Sequence, residues 1–238
     1  MTTLRPKPSG RRMPQVWTMM LLPPALLAGL IAVYAALSGW RPDAPGAQET
    51  LRPALPAILA VNHLTLFSLL VLLLRRNGET LSNIGWSARR VGSTLTREMA
   101  IGLICALALY LLKEFVFDSV QAILAGHAPT FMSLFRVHLR SDDVGWLLAG
   151  TTLVFVEESI YRGYALPFLR TRWGAVPAVA ATSMAFALLH WGQGLRGMIH
   201  ALFAGALLAG VFLWRRNMIA GTAAHAFYNL ALILTAHG

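Results

Sequence analysis

Cysteine is almost absent from this chain. The single one, Cys105, lies inside an apolar segment. That excludes an intramolecular disulfide and a cysteine-based zinc site, and leaves a small core residue. Charge is scarce as well: 13% of the 238 residues are Asp, Glu, Lys or Arg, against about 25% in an ordinary soluble domain. No long internal repeat, no low-complexity linker and no HExxH spacing occurs. What fills the chain instead is apolar. Hydrophobic residues make up 56%, the mean hydropathy is +0.59, and they cluster in blocks long enough to span a bilayer. The expected fold class is therefore all-α: a polytopic transmembrane helical bundle of about seven spans, forming one bundle rather than several soluble domains. The net charge of +10 does not indicate a nucleic-acid partner. The basic residues lie between the apolar blocks, where they hold loops on the cytoplasmic side.

The spans are expected at about 15–39, 54–74, 98–118, 145–166, 174–191, 197–214 and 217–236. This divides the chain into a basic tail (1–14), three accessory helices (15–118), a long loop (119–143) and a four-helix core (144–238). Arginine is richest in the tail and in every second loop, as with Arg11, Arg12, Arg75, Arg76, Arg89, Arg90 and Arg97. The N-terminus is accordingly expected in the cytoplasm and the C-terminus outside. The first span reads as retained and not as an export signal, because its run is long and lacks a small-residue cleavage site. Pro23-Pro24 are expected to kink it. In the long loop, Phe131–Arg140 mixes apolar and basic residues at helical spacing, as an interfacial amphipathic helix or an ordinary connection would. The loop before the third span is polar, with Gly85 and an interfacial Trp86.

Polar groups within the apolar runs carry the chemistry. Glu157 and Glu158 are adjacent in the fourth span, and a charge at mid-bilayer costs about 2.5–3.5 kcal/mol on insertion scales. Glu158 and Arg162 are i, i+4, so they share a helix face and can pair. Glu157 points about 100° away, towards another neighbour. Spans four and five form a hairpin turning near Arg172-Trp173-Gly174, and Glu157 and His190 are equidistant from that turn. Both lie roughly 25 Å from its tip and so at one level. Phe186, one turn before His190, is placed to wall a pocket. His225 and Asn229 share a face of the last span and offer two hydrogen-bond donors, as an oxyanion requires, or as helix–helix contacts use. His200 reads as a packing or interface residue, Asn62-His63 remain ambiguous, and His237 is expected to be exposed. Gly205 and Ala209, with Gly197, Ala201 and Gly210, are expected to let the sixth span approach its neighbours closely.

These residues carry a resemblance. Glu157-Glu158-Ser-Ile-Tyr-Arg162, Phe186-Ala-Leu-Leu-His190 and His225-Ala-Phe-Tyr-Asn229 resemble the EExxxR, FxxxH and HxxxN motifs of the CPBP (Abi) family of intramembrane proteases. That family includes type II CAAX prenyl endopeptidases and bacteriocin-processing enzymes. The three motifs occur in order over about residues 145–230, and the first three spans match only in hydropathy. The resemblance makes 144–238 a catalytic core and implies endopeptidase activity on membrane-associated or C-terminally anchored peptides and proteins. It implies that Glu157, aided by His190, activates a water, and that His225 and Asn229 stabilise the oxyanion. Glu158 and Arg162 would orient the site. Few lysines and many arginines and alanines point to a prokaryotic inner (plasma) membrane, where prenylated substrates are unexpected.

The physics of the residues agrees with that chemistry, since a carboxylate in a low-dielectric pocket makes a competent general base. No nucleophilic Ser–His pair is evident, because Ser159 faces away from Glu157. No cofactor is favoured. The alternative is zinc held by Glu157, His190 and His225, with a position left for water. A proton-coupled transporter or a silent membrane adaptor are the competing functions. The expected partners are a peptide or membrane-protein substrate and membrane lipid; oligomeric state is not legible.

Overall fold

The computed structural model describes residues 11–86, 88–114 and 144–235. The first ten residues of the basic tail, the end of the expected third span, the 119–143 loop with Phe131–Arg140, and His237 lie outside these. Among the described residues the chain is helical throughout, with no strand. Helix α1 spans Met13–Ser38, α2 Ala47–Leu51, α3 Leu55–Arg76 and α4 Ala88–Leu112. The stretch bearing the first motif is α5 (Val144–Thr152), α6 (Val154–Glu158), a π-helical segment (Ser159–Ala165) and α7 (Leu166–Trp173). Helices α8 (Ala175–Leu189), α9 (Gly194–Arg215) and α10 (Ile219–Thr235) complete the bundle.

The local causes are ordinary. Pro14, Pro56 and Pro167 sit in the first turns of α1, α3 and α7, where a missing N–H costs nothing. Helix α1 is continuous through Pro23 and Pro24. Gly174, at φ +83°, turns α7 into α8 at the expected place. Four helical stretches are long and apolar enough to cross a membrane: Met13–Ser38, Leu55–Arg76, Thr94–Leu112 and Trp191–Arg215. Ala175–Leu189 and Ile219–Leu234 are apolar but shorter. The described helices therefore do not by themselves establish seven spans. The motif stretch is broken into segments, and α8 would rise only about 22 Å against a hydrocarbon core of about 30 Å.

The polarity of the bundle is inverted relative to a water-soluble protein. Leu37, Leu64, Ile104 and Val176 are exposed, while Asn62, His63, Glu98, Glu158, Arg162 and His225 are buried. Helix α10 packs along α4, and α8 packs on α7 and α9. The close approach expected at Gly205 is present: a Cβ there would lie 3.2 Å from the Ser183 backbone on α8. Gly210 is different, because nothing lies within 4 Å of its Cβ position and it faces outward.

The segment before α4 departs from expectation. Helix α4 begins ten residues earlier than the predicted span, so the polar loop contracts to a 3-10 turn, Leu81–Ile84. Trp86 is half-buried rather than interfacial. Its indole N–H donates to Ser159 Oγ at 2.8 Å and its ring lies 4.4 Å from that of Phe155. The turn thus leans on the motif helix, because the small Gly163 leaves room for it.

Candidate active site

The first motif runs from the end of α6, which carries Glu157 and Glu158, into the π-helical segment, which carries Arg162. A π turn adds a residue per turn to an α-helix and is frequent at functional sites. Glu157 and Glu158 precede it on a regular helix, about 100° apart, and they meet one neighbour because His225 reaches each with a different ring nitrogen. Glu158 and Arg162 are each 1% exposed and form an ion pair at 3.1 Å, as their spacing predicts. Glu158 Oε1 also accepts from His225 Nδ1 at 3.0 Å. Glu157 is 14% exposed, and its Oε2 lies 3.8 Å from His225 Nε2. His225 therefore stands between the two carboxylates, with one ring nitrogen facing each.

The other neighbour of Glu157 is on α3. His63 Nε2 lies 3.0 Å from Glu157 Oε1. Equal distance from the hairpin turn puts His190 level with Glu157, yet no hydrogen bond joins the two among the described residues. His190 caps the C-terminus of α8, and its Nδ1–H donates to the Phe186 carbonyl at 2.9 Å. That leaves its Nε2 without a proton in the neutral ring and available as a base or acceptor.

Phe186 joins these groups. Its ring centroid is 4.6 Å from that of His190, 5.6 Å from that of His225 and 5.4 Å from that of Tyr161. The Arg162 guanidinium lies over its face at 4.2 Å, a favourable placement for a desolvated cation. A small cavity of about 60 Å³ is bordered by Phe186, His190, His200, His225, Tyr228 and Asn229. It has room for water but not for a peptide. Asn229 donates one amide N–H to the Gly150 carbonyl at 2.8 Å. An amide nitrogen has two hydrogens, so this bond orients the group while leaving the second free to donate.

Two residues of this neighbourhood were not assigned to it from the sequence. His200 accepts from or donates to the Tyr228 hydroxyl at 3.1 Å and borders the cavity, though Tyr228 sits within the HxxxN stretch and only the fold brings α9 to it. His63 is an ionisable residue in an apolar run, which is itself a functional signal. No spacing, however, connects a residue on α3 with one 94 positions later. Ser159 is turned away from Glu157 and spends its hydroxyl on the Phe155 carbonyl. Among the described residues no group of three or more His, Cys, Asp or Glu side chains is arranged to hold a metal ion.

Comparison with known families bears on this region directly. Residues 142–231 match the family described as Type II CAAX prenyl endopeptidase Rce1-like. This segment is similar to that family. The match starts just before α5 and ends in α10, so it encloses Glu157, Glu158, Arg162, Phe186, His190, His225 and Asn229. The Rce1-like segment excludes α1, α3 and α4, and hence His63. No curated protein and no solved structure matches the chain. At the level of activity, the Rce1-like match points to a CAAX-protease-like intramembrane protease and does not favour the transport or adaptor alternatives.

Proposed function

We propose that the chain is an intramembrane endopeptidase that hydrolyses membrane-associated or C-terminally anchored peptides by a carboxylate-activated water. The observation that carries this reading is that His225 of the third motif contacts both glutamates of the first and borders one cavity with Phe186, His190 and Asn229, all within the matched segment. In it, Glu157 takes the proton of water through Oε2, and His190, whose Nε2 is open, assists from across Phe186. The water oxygen attacks the peptide carbonyl carbon. The developing oxyanion accepts from the second amide N–H of Asn229, beside His225, whose Nδ1–H is held by Glu158 and which lines the same cavity. Such donors are worth about 10²–10³ in rate when aimed at the charge that develops. Glu158 and Arg162 hold His225 and Phe186 in place. The chain supplies these groups without a metal. It lies in the inner (plasma) membrane of a prokaryotic cell and crosses it seven times, the short α8 and α10 being accommodated by local thinning of the bilayer.

The test is direct. Purified full-length protein is incubated with lipidated and plain C-terminal peptides, with and without prior chelation, and the products are read by mass spectrometry. Internal cleavage that survives chelation is expected. Absence of cleavage of every peptide class, or cleavage abolished by chelation and restored by zinc alone, overturns the proposal.

A further inference from the structure

His63 belongs to none of the three motifs, and its contacts say more than its position does. Its Nδ1 lies 2.8 Å from the Leu59 carbonyl. A carbonyl only accepts, so Nδ1 carries a hydrogen. In a neutral ring Nε2 would then be bare, and it stands 3.0 Å from Glu157 Oε1. Two bare acceptors at that distance repel. One proton therefore lies on the Nε2–Oε1 line, belonging to the imidazole or to the carboxyl.

The surrounding charges require the same proton. Groups facing Glu157 come from three other places. His225 on α10 is 3.8 Å from Oε2, Glu158 precedes the π segment, and Arg162 within that segment is paired to Glu158. His190 on α8, 4.6 Å from the Phe186 ring, is within electrostatic reach of Glu157. Two carboxylates and one guanidinium leave a single uncompensated negative charge, which is expensive where His63, Glu158 and Arg162 are all nearly sealed from solvent. His225 satisfies Glu158 with Nδ1–H alone and needs no charge to do so. The proton between His63 and Glu157 neutralises the site.

We infer that His63 is a positioning residue for Glu157: it ties down Oε1, turns Oε2 towards the cavity side, and keeps one proton so that Glu157 can act as a base inside the bilayer. This rests on the proposed role of Glu157. The proton balance closes. With the retained proton on His63, a water lone pair forms the C–O bond, the carbonyl π pair moves to oxygen, and the water proton passes to Oε2. On collapse the oxygen pair re-forms the carbonyl, the C–N bond breaks, and the amine nitrogen takes the proton from Oε2. His63 ends as it began.

The experiment compares wild type, His63→Gln, His63→Phe and Glu157→Gln as full-length proteins in the same detergent. A glutamine at 63 can still donate to Oε1 but cannot carry a charge. His63→Gln should lower kcat about 10- to 100-fold, as loss of a hydrogen-bond partner that orients a metal-ligating side chain does in metal sites, with KM within about twofold. The acid limb of its pH–rate profile should move to higher pH, because the carboxylate has lost its cation. His63→Phe should be slower still. ¹⁵N-histidine NMR on the wild type should show His63 with both ring nitrogens protonated or sharing a proton. Wild-type kcat in His63→Gln, or a lowered kcat with an unmoved acid limb, overturns the inference. A bare Nε2 in the wild-type spectrum overturns it whether or not the variants fold. If Glu157→Gln cleaves at the wild-type rate, the base assignment itself fails. If Glu157→Gln is inactive while His63→Gln is normal, only the role of His63 fails.

Discussion

Glu158 is gripped from two sides, by Arg162 at 3.1 Å and His225 at 3.0 Å, whereas Glu157, among the described residues, bonds to His63 at 3.0 Å and keeps its second oxygen towards His225. The two carboxylates should therefore respond differently to the same substitution. Glu157→Gln preserves shape and leaves no cation in a new mismatch other than His63, which can give up its proton. Its cleavage rate should fall by the ~10²–10⁴ typical of a lost general base, with little change in melting temperature. Glu158→Gln strands Arg162 in a buried site. Breaking such a pair costs about 3–5 kcal/mol, so this variant should lose both rate and thermal stability. Parallel melting and cleavage measurements decide the matter. Normal cleavage by Glu157→Gln with a folded, inactive Glu158→Gln would reverse the two roles.

The π-helical segment between α6 and α7 is the element on which the site depends, and three contacts brace it. Trp86 bonds Ser159, Tyr161 donates to the Met20 carbonyl of α1, and Arg11 reaches it from the N-terminal side. Arg11 pairs with Glu79 at 2.7 Å, donates to the Tyr164 carbonyl and covers the Tyr164 ring at 4.5 Å. An arginine of the basic tail thus also serves as a structural strut. The 3-10 turn Leu81–Ile84 lies so close that a Cβ on Gly163 would stand 2.7 Å from the Ile84 carbonyl oxygen. Backbone cannot yield as a side chain does. Gly163→Ala should therefore cost about 1–3 kcal/mol as an overpacking change, and slow cleavage by disturbing the Trp86–Ser159 bond. Gly210→Ala, with open space around it, should be neutral or more stable by up to about 1 kcal/mol through helix propensity. Thermal unfolding of the two variants checks the contrast, and equal stability of both would refute the close-packing account.

For the whole molecule, the topology is the property with the sharpest test. Arginine is concentrated in the tail and in alternate loops, and this favours a cytoplasmic N-terminus. Arg11 is nonetheless nearly buried and Arg215 is bound to Glu98 at 3.1 and 2.6 Å. These two arginines also act within the fold. With seven crossings, reporter fusions after Arg172 and after Gly238 should fall on opposite sides, Arg172 in the cytoplasm. Both reporters on one side would contradict either the span count or the orientation.

The sequence by itself determined the all-helical, membrane-type character of the chain, the Glu158–Arg162 pair and the turn at Gly174. Each follows from local periodicity, since apolar run length, i, i+4 spacing and a glycine turn act over a few residues. The motif residues could be singled out because ionisable groups in apolar runs need a reason. Only the tertiary structure decided which groups meet. It gave Glu157 a hydrogen bond to His63 on α3, placed His225 between both glutamates, and turned Trp86 inward onto Ser159. Those contacts join residues tens of positions apart. They depend on how α3, α6 and α10 pack, which leaves no periodic trace along the chain.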